Sequence, residues 1–240
     1  MALIATVASF AMIALAATAH GAPVVYFGGP DTSKLDLPLA TSTVTPVRDA
    51  FLATLVTYGV EDLESLAGES NPALNFGSTG ITAQAGFPNG VLSAFQFAVS
   101  GLNFMWDADG VDDWILFSRP ITAFGAYIVQ GGDGASAEPD LTPPNQLTIR
   151  LENTLLGTSK DVLVGDLGPD WPFFNVVFVG ITAADPFDRV SFIESYDIDG
   201  LLYDDLIAGY VIPEPATAHL LVAGGAALCA LRLSRRRRRA

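Results

Sequence analysis

Phe173-Phe174-Asn175-Val176-Val177-Phe178-Val179-Gly180-Ile181 is the stretch on which the fold turns. It is apolar almost without interruption and rich in β-branched and aromatic residues. A half-buried strand alternates, so an unbroken apolar run predicts a central strand covered on both faces. The other pattern stands at Leu147, Ile149 and Leu151, which alternate with Thr148, Arg150 and Glu152 as in a strand with one wet face. Ile121 to Val129 is β-rich and apolar, and Ile81 to Ala85, Leu102 to Trp106, Trp114 to Phe117 and Val190 to Ile193 are shorter strand candidates. The breaks between them are turn-rich: Asn89-Gly90, Gly131-Gly132-Asp133-Gly134, Thr142-Pro143-Pro144-Asn145 and Gly168-Pro169-Asp170. Short strands at such spacing predict a mainly β fold, a jelly-roll-like β-sandwich.

One short helix is expected before the strands. Thr45 can cap it, Pro46 suits its first turn, and Val47, Phe51, Leu52 and Leu55 recur on one face. It is expected across the sandwich edge. No internal repeat and no long linker divides the middle of the chain, so residues 20–212 read as one ectodomain. Its last strands are expected at about 191–208, with a tether after them.

Charge separates the chain into three pieces. The 240 residues carry a formal net charge of −14, but the first 19 hold no charged side chain. Residues 20–212 hold 25 acidic against 6 basic residues, and the tail from Pro213 holds 6 arginines against one glutamate. Phosphate repels so acidic a body, which argues against nucleic acid as a partner. The only histidines are His20 and His219, and the only cysteine is Cys229. Ser-His-Asp and Cys-His catalysis, Cys/His zinc sites and disulfides therefore have no residues to work with between 21 and 212.

Both ends carry address information. Leu3 to Ala17 is apolar and small, and Ala17-Thr18-Ala19 fits the small-x-small cleavage pattern of a signal peptide, residues 1–19. No Lys or Arg precedes the run, so either the start codon is misplaced or the amino terminus supplies the only positive charge there. A buried helix is the alternative for such a segment. At the other end Pro213-Glu214-Pro215 precedes Ala216 to Leu231, apolar except for Thr217 and His219, and then Arg232 and Arg235, Arg236, Arg237, Arg238 and Arg239. Sixteen helical residues at ~1.5 Å each span about 24 Å, short of a ~30 Å hydrocarbon core, and Val211, Ile212 or local thinning would make up the difference. The arginines act as a basic stop-transfer cluster that stays cytoplasmic, which puts the body on the far side of the membrane. The two prolines keep Glu214 extended and outside the helix, a form that a protease cleft can bind.

Residues 213–240 thus resemble the PEP-CTERM sorting signal of Gram-negative bacteria in the order and spacing of triplet, transmembrane helix and terminal basic cluster. The resemblance implies an exosortase, a membrane cysteine transpeptidase, as partner beside the export machinery, and removal of the tail. The protein would be an inner-membrane precursor, then reach the cell surface or extracellular matrix. A plain C-terminal membrane anchor is the alternative. Scattered blocks of the body also resemble ectodomains found with this signal: Arg48 to Leu52 leading to Val60 to Glu64, Phe173 to Ile181 followed by Asp185-Pro186-Phe187, and Asp199-Gly200 to Asp204-Asp205. That resemblance implies a β-sandwich surface protein and no particular activity.

Two kinds of candidate site remain. Asp107, Asp109, Asp112 and Asp113 surround Gly110, and hard oxygen ligands about a glycine turn are what calcium loops use. No glutamate stands at the twelfth position of an EF-hand pattern, and a solvated turn between Trp106 and Trp114 is the alternative. Asp197, Asp199, Asp204 and Asp205 form a second acidic cluster. Trp106, Trp114, Trp171, Tyr58, Tyr127 and Tyr203 have the flat faces that stack on sugar rings, or that fill a core. With no nucleophile–histidine chemistry, the body is expected to be non-catalytic, with exopolysaccharide binding or self-association as its role and no cofactor beyond candidate calcium. The rival is a secreted glycan hydrolase that uses two carboxylates.

Overall fold

Two long strands carry the architecture. β7 (Trp114–Val129) and β10 (Asn175–Glu194) run antiparallel, with Val177 opposite Ile128 at one end and Val190 opposite Ile115 at the other. The computed structural model describes residues 21–32, 43–94, 97–107, 113–129, 145–167, 175–194 and 200–212. The expected signal peptide (1–19) and sorting tail (213–240) lie outside the described residues. No described helix is long and apolar enough to cross a membrane.

Each long strand changes its outer neighbour halfway along. In one half β10 pairs with β1 (Val24–Thr32), and β7 pairs with β11 (Leu202–Val211), which is flanked by β2 (Leu55–Glu61). In the other half β4 (Thr82–Gly86) pairs with β7 and carries β3 (Ala73–Asn75). There β10 pairs instead with β8 (Asn145–Asn153), which carries β9 (Thr158–Leu167). β5 (Val91–Ser93) and β6 (Asn103–Trp106) join the start of β11. All these pairings are antiparallel. Register shifts in β10 between Thr182 and Arg189 let one chain serve both halves. The two half-sheets enclose a common core that includes Phe124, Val179, Ile149, Val190 and Phe192, so the body is a β-sandwich.

The apolar run predicted to be covered twice is covered twice. Val177, Val179 and Ile181 enter the core between the sheets. Val176 and Phe178 point the other way, with Ala123, Tyr127 and Val129 of β7, and meet α1 (Val44–Leu52) together with Ala98, Val99 and Phe104. Phe51 of the helix is fully buried with its ring 5.7 Å from Phe178 and 5.6 Å from Tyr26. Gly180 and Gly125, opposite each other in register, make room for it, since a Cβ on Gly180 would stand 2.7 Å from the Phe51 ring.

Several expectations need correction. The helix covers a sheet face rather than an edge, and it begins at Val44, before Thr45. Asp31 of β1 does the capping: its carboxylate accepts the Val44 N–H at 2.8 Å and the Thr43 hydroxyl at 3.0 Å. Leu55 opens β2 instead of extending the helical face. Trp114 to Phe117 and Ile121 to Val129 are one strand, as are Asn175 to Ile181 and Val190 to Ile193, because the bulges carry the chain between sheets without a turn. The last strand runs to Val211, beyond the expected 208.

Candidate functional site

The sequence-predicted calcium loop is visible only at its two ends. Asp109 and Asp112 lie outside the described residues. Asp107 donates its N–H to the Leu201 carbonyl at 2.9 Å, and the Asp113 carbonyl accepts the Phe192 N–H at 2.9 Å. The loop is thereby stitched to the approach to β11 and to β10. Asp107 and Asp113 are 7% and 0% exposed, so neither carboxylate stands in open solvent as a plain hairpin turn would have it. Among the described residues no three acidic, histidine or cysteine side chains are grouped to hold a metal ion.

The aromatic candidates divide by burial. Tyr127 and Tyr203 are core residues and cannot receive a sugar. Trp114 is half-buried under the Arg189 guanidinium, 5.0 Å from the ring centroid. Trp106 and Tyr58 remain partly exposed, on separate strands that follow one another along the same edge of β11, opposite β7. Trp171 lies outside the described residues.

Of the second acidic cluster, Asp197 and Asp199 lie outside the described residues, and the buried Asp204 and half-buried Asp205 stand side by side at a bulge in β11. Asp204 is fully buried. Its carboxylate accepts N–H bonds from Val99 (2.7 Å), Ser100 (2.9 Å) and Asp205 (2.6 Å). Asp205 adopts φ 46°, unusual outside glycine, and accepts the Ser100 hydroxyl at 2.7 Å. Glu64 accepts the next amides, Leu102 at 2.8 Å and Asn103 at 2.9 Å. Three carboxylates thus hold the segment 99–103 onto the sheet. Burial pushes Asp204 up to about 8, with Asp205 adding to the rise and the three amides opposing it. Burial likewise raises Asp205; the Ser100 hydroxyl and Arg48 hold it back, while Asp62 and Glu64 push it further. Tyr127 is raised by its burial too, against the pull of Arg48.

This constellation is a clasp rather than a catalytic dyad. Both Asp204 oxygens are occupied by backbone amides inside the protein. Asp204 and Asp205 are consecutive residues of one strand, not two groups facing each other across a cleft as glycoside hydrolysis requires.

A groove of about 450 Å³ opens at one end of the sandwich, between the tip of the β8–β9 hairpin, the bend of β10 and the chain before β1. Leu151, Ala183 and Phe187 form its buried floor, and Pro23, Leu156 and Pro186 its sides. Asn153, Thr158, Ser159, Lys160 and Asp185 supply polar atoms. The volume is in the range of small-ligand sites, ~300–1,000 Å³. The hairpin tip is pinned: Asn153 donates to the Pro186 carbonyl at 3.0 Å, and Thr154 donates its N–H and hydroxyl to Asp188, each at 2.8 Å. Composition and motif reading missed this groove. Its one sequence signal is phase: Lys160 falls in step with the buried Val162 and Val164.

No protein-family model matches the chain, and no curated protein matches it. Solved structures with some similarity include the K2 cleaved adhesin domain of Lys-gingipain, at 16% identity and a TM-score of 0.39 over 63% of this chain and 99% of that one. The C-terminal family 22 carbohydrate-binding module of Clostridium thermocellum Xyn10B is similar at 12% identity and a TM-score of 0.33, over 65% and 94% of the two chains. A family 29 carbohydrate-binding module is similar at 13% identity and a TM-score of 0.28, over 64% and 90%. Likenesses at these scores carry no argument about ligand, and the description of the sandwich rests on its own strand register.

Proposed function

We propose that the chain is an exported, non-catalytic β-sandwich protein, held first at the inner membrane and processed by an exosortase at Pro213-Glu214-Pro215. Its body then serves at the cell surface or in the extracellular matrix as a polysaccharide-binding module. One observation carries this: β11 continues as paired backbone up to the triplet, since the N–H of Ile212, the residue before Pro213, donates to the Thr54 carbonyl at 2.8 Å. The preformed groove beside the hairpin supports the binding role, with an apolar floor and polar rim suited to a sugar ring. The hydrolase alternative draws less support, because Asp204, the most perturbed carboxylate among the described residues, is closed off by its own fold. Calcium bound by the Asp107 to Asp113 loop is a second element of the proposal, favoured by the burial of its two end carboxylates.

Mass spectrometry of the protein recovered from its own host tests the processing. Chains ending near Pro213 are expected at the surface, with Glu214→Ala leaving uncleaved, membrane-held precursor. Intact chains ending in the arginine run at the outer surface would sink the sorting reading. Retention of the body on a panel of immobilised polysaccharides tests the binding role separately, and failure to bind any of them would remove it.

A further inference from the structure

The inner face of the β8–β9 hairpin changes character at one register position. Ile149 stands opposite Val162, and both are buried in the core. The next pairs on that face are Leu151 opposite Lys160 and Asn153 opposite Thr158. Strand alternation keeps the three pairs on one side. An ammonium and a hydroxyl therefore occupy places where an apolar row would otherwise continue.

Lys160 also differs from the cations around it. Arg150 is bound to Asp161 at 2.6 and 2.9 Å, and Arg189 lies 3.4 Å from Glu152 and over the Trp114 ring. Lys160 makes no side-chain hydrogen bond or ion pair among the described residues. It faces a groove whose floor is Leu151 and Phe187, beside the hydroxyls of Thr158 and Ser159. At the groove tip Leu155 and Leu156 are 86% and 71% exposed, an apolar surface of the kind that marks contact sites.

We propose that this groove binds a uronic acid residue of an anionic polysaccharide, with the sugar carboxylate on Lys160 Nζ. The idea rests on the polysaccharide-binding reading and specifies its ligand. A pyranose has an apolar C–H face and a rim of hydroxyls, which suit the Leu151–Phe187 floor and the Thr158, Ser159 and Asp185 rim. Lys160 is exposed at the groove edge, and a sugar carboxylate offers it a charge-assisted hydrogen bond that a neutral sugar lacks. The body's net negative charge acts against a polyanion at long range, where ~0.1 M salt screens it beyond about 10 Å; within the groove Asp185 is the one acidic lining residue, and the proposal places it on the sugar's hydroxyls, with the acid group on Lys160. The pinned hairpin tip means that little ordering is needed on binding.

Titration calorimetry on the full chain in detergent, at about 0.1 M salt, tests this with four probes: trigalacturonate, its methyl ester, maltotriose and hexanoate. Trigalacturonate is expected to bind at least ten-fold more tightly than the other three. Lys160→Ala is expected to lose at least ten-fold for trigalacturonate with its melting temperature unchanged, and Lys160→Arg to retain most of the binding. Equal affinity for ester, neutral sugar and acid, or an unaffected Lys160→Ala, overturns the uronate assignment while leaving polysaccharide binding in place. Equal binding of hexanoate reassigns the groove to simple carboxylates and overturns it as well. Absence of trigalacturonate binding overturns the assignment, and absence of binding to the polysaccharide panel too takes the broader reading with it.

Discussion

Ile212 donates its N–H to the carbonyl of Thr54, so the last described residue is tied to the turn between α1 and β2. The preceding strand lies between β2 and β7, with Ile207 opposite both Val60 and Gly125. The end of the body is therefore an interior strand. A chain ending at Ile212 is expected to melt within a few degrees of the full chain. A chain ending at Asp205 loses the pairings of 206–211 on both sides and is expected not to fold. Circular dichroism melts of the two truncations check this, and equal melting curves would contradict the topology.

Phe51 is the single side chain that most firmly joins the helix to the sheet. It is fully buried against Phe178 and Tyr26, over Gly125 and Gly180. Phe51→Ala is expected to cost roughly 3–5 kcal/mol, the usual range for a deleted core ring. Gly180→Ala is expected to destabilise as well, by forcing a Cβ against that ring. Urea unfolding midpoints measure both, and a change below about 1 kcal/mol for Phe51→Ala would show that the helix is not part of the cooperative core.

Much of the sheet was legible because its burial follows hydrophobic phase. Leu147, Ile149 and Leu151 alternate in sequence and are the buried side of β8. β2 was not legible, because its pattern is inverted. Val56, Tyr58 and Val60 are exposed, with Thr57, while Gly59 and Glu61 are buried beside Leu55. Glu61 is tolerated inside because its carboxylate accepts the Leu63 N–H at 3.0 Å and the Asn75 N–H at 2.7 Å. Gly59 is required because a Cβ there would fall 1.8 Å from the Phe76 carbonyl oxygen. Hydropathy records none of these constraints. The candidate site was hidden similarly: Lys160 reads as an ordinary surface residue until register puts it opposite Leu151. Asp204 and Asp205 were legible only as part of an acidic cluster, and their place in a strand flanked by the buried Leu201, Leu202, Tyr203, Leu206 and Ile207 comes from the fold.

Calcium is expected to raise the melting temperature of the body. A ligand that binds only the folded state at one hundred times its Kd adds about 2.7 kcal/mol. For a body of this size each kcal/mol is worth roughly 2–4 °C, so the shift between calcium and chelator should be at least about 5 °C. Asp109→Ala is expected to abolish it. Scanning calorimetry in the two buffers decides the matter, and coincident transitions would leave the loop from Asp107 to Asp113 without a role in metal binding.

Asp204 sets the expected pH dependence. Its folded-state value of about 8 lies above the ordinary 3.8 of an aspartate, chiefly because it is buried. A carboxyl whose folded pKa is raised binds its proton more tightly in the folded state. Its contribution to stability is complete below about pH 4 and is lost progressively as the pH rises towards 8. Asp205 is its direct charged neighbour; Arg48, Asp62 and Glu64 act on Asp205 in turn, and Tyr127 and Asp49 lie next to Arg48. Arg48 is the one cation among them, so ionisation of Asp204 adds charge to a predominantly acidic neighbourhood. The unfolding free energy of the wild type should decrease as the pH is raised from 5 to 9, by an amount on the order of a few kcal/mol. Asp204→Asn cannot ionise and should show a flatter profile over the same interval, whatever its absolute stability. Amide exchange at Val99 and Ser100, whose N–H groups rest on this carboxylate, should quicken with pH beyond its intrinsic rate in the wild type only. Parallel stability profiles for wild type and Asp204→Asn would mean that Asp204 keeps the same charge state folded and unfolded, and would refute the raised value.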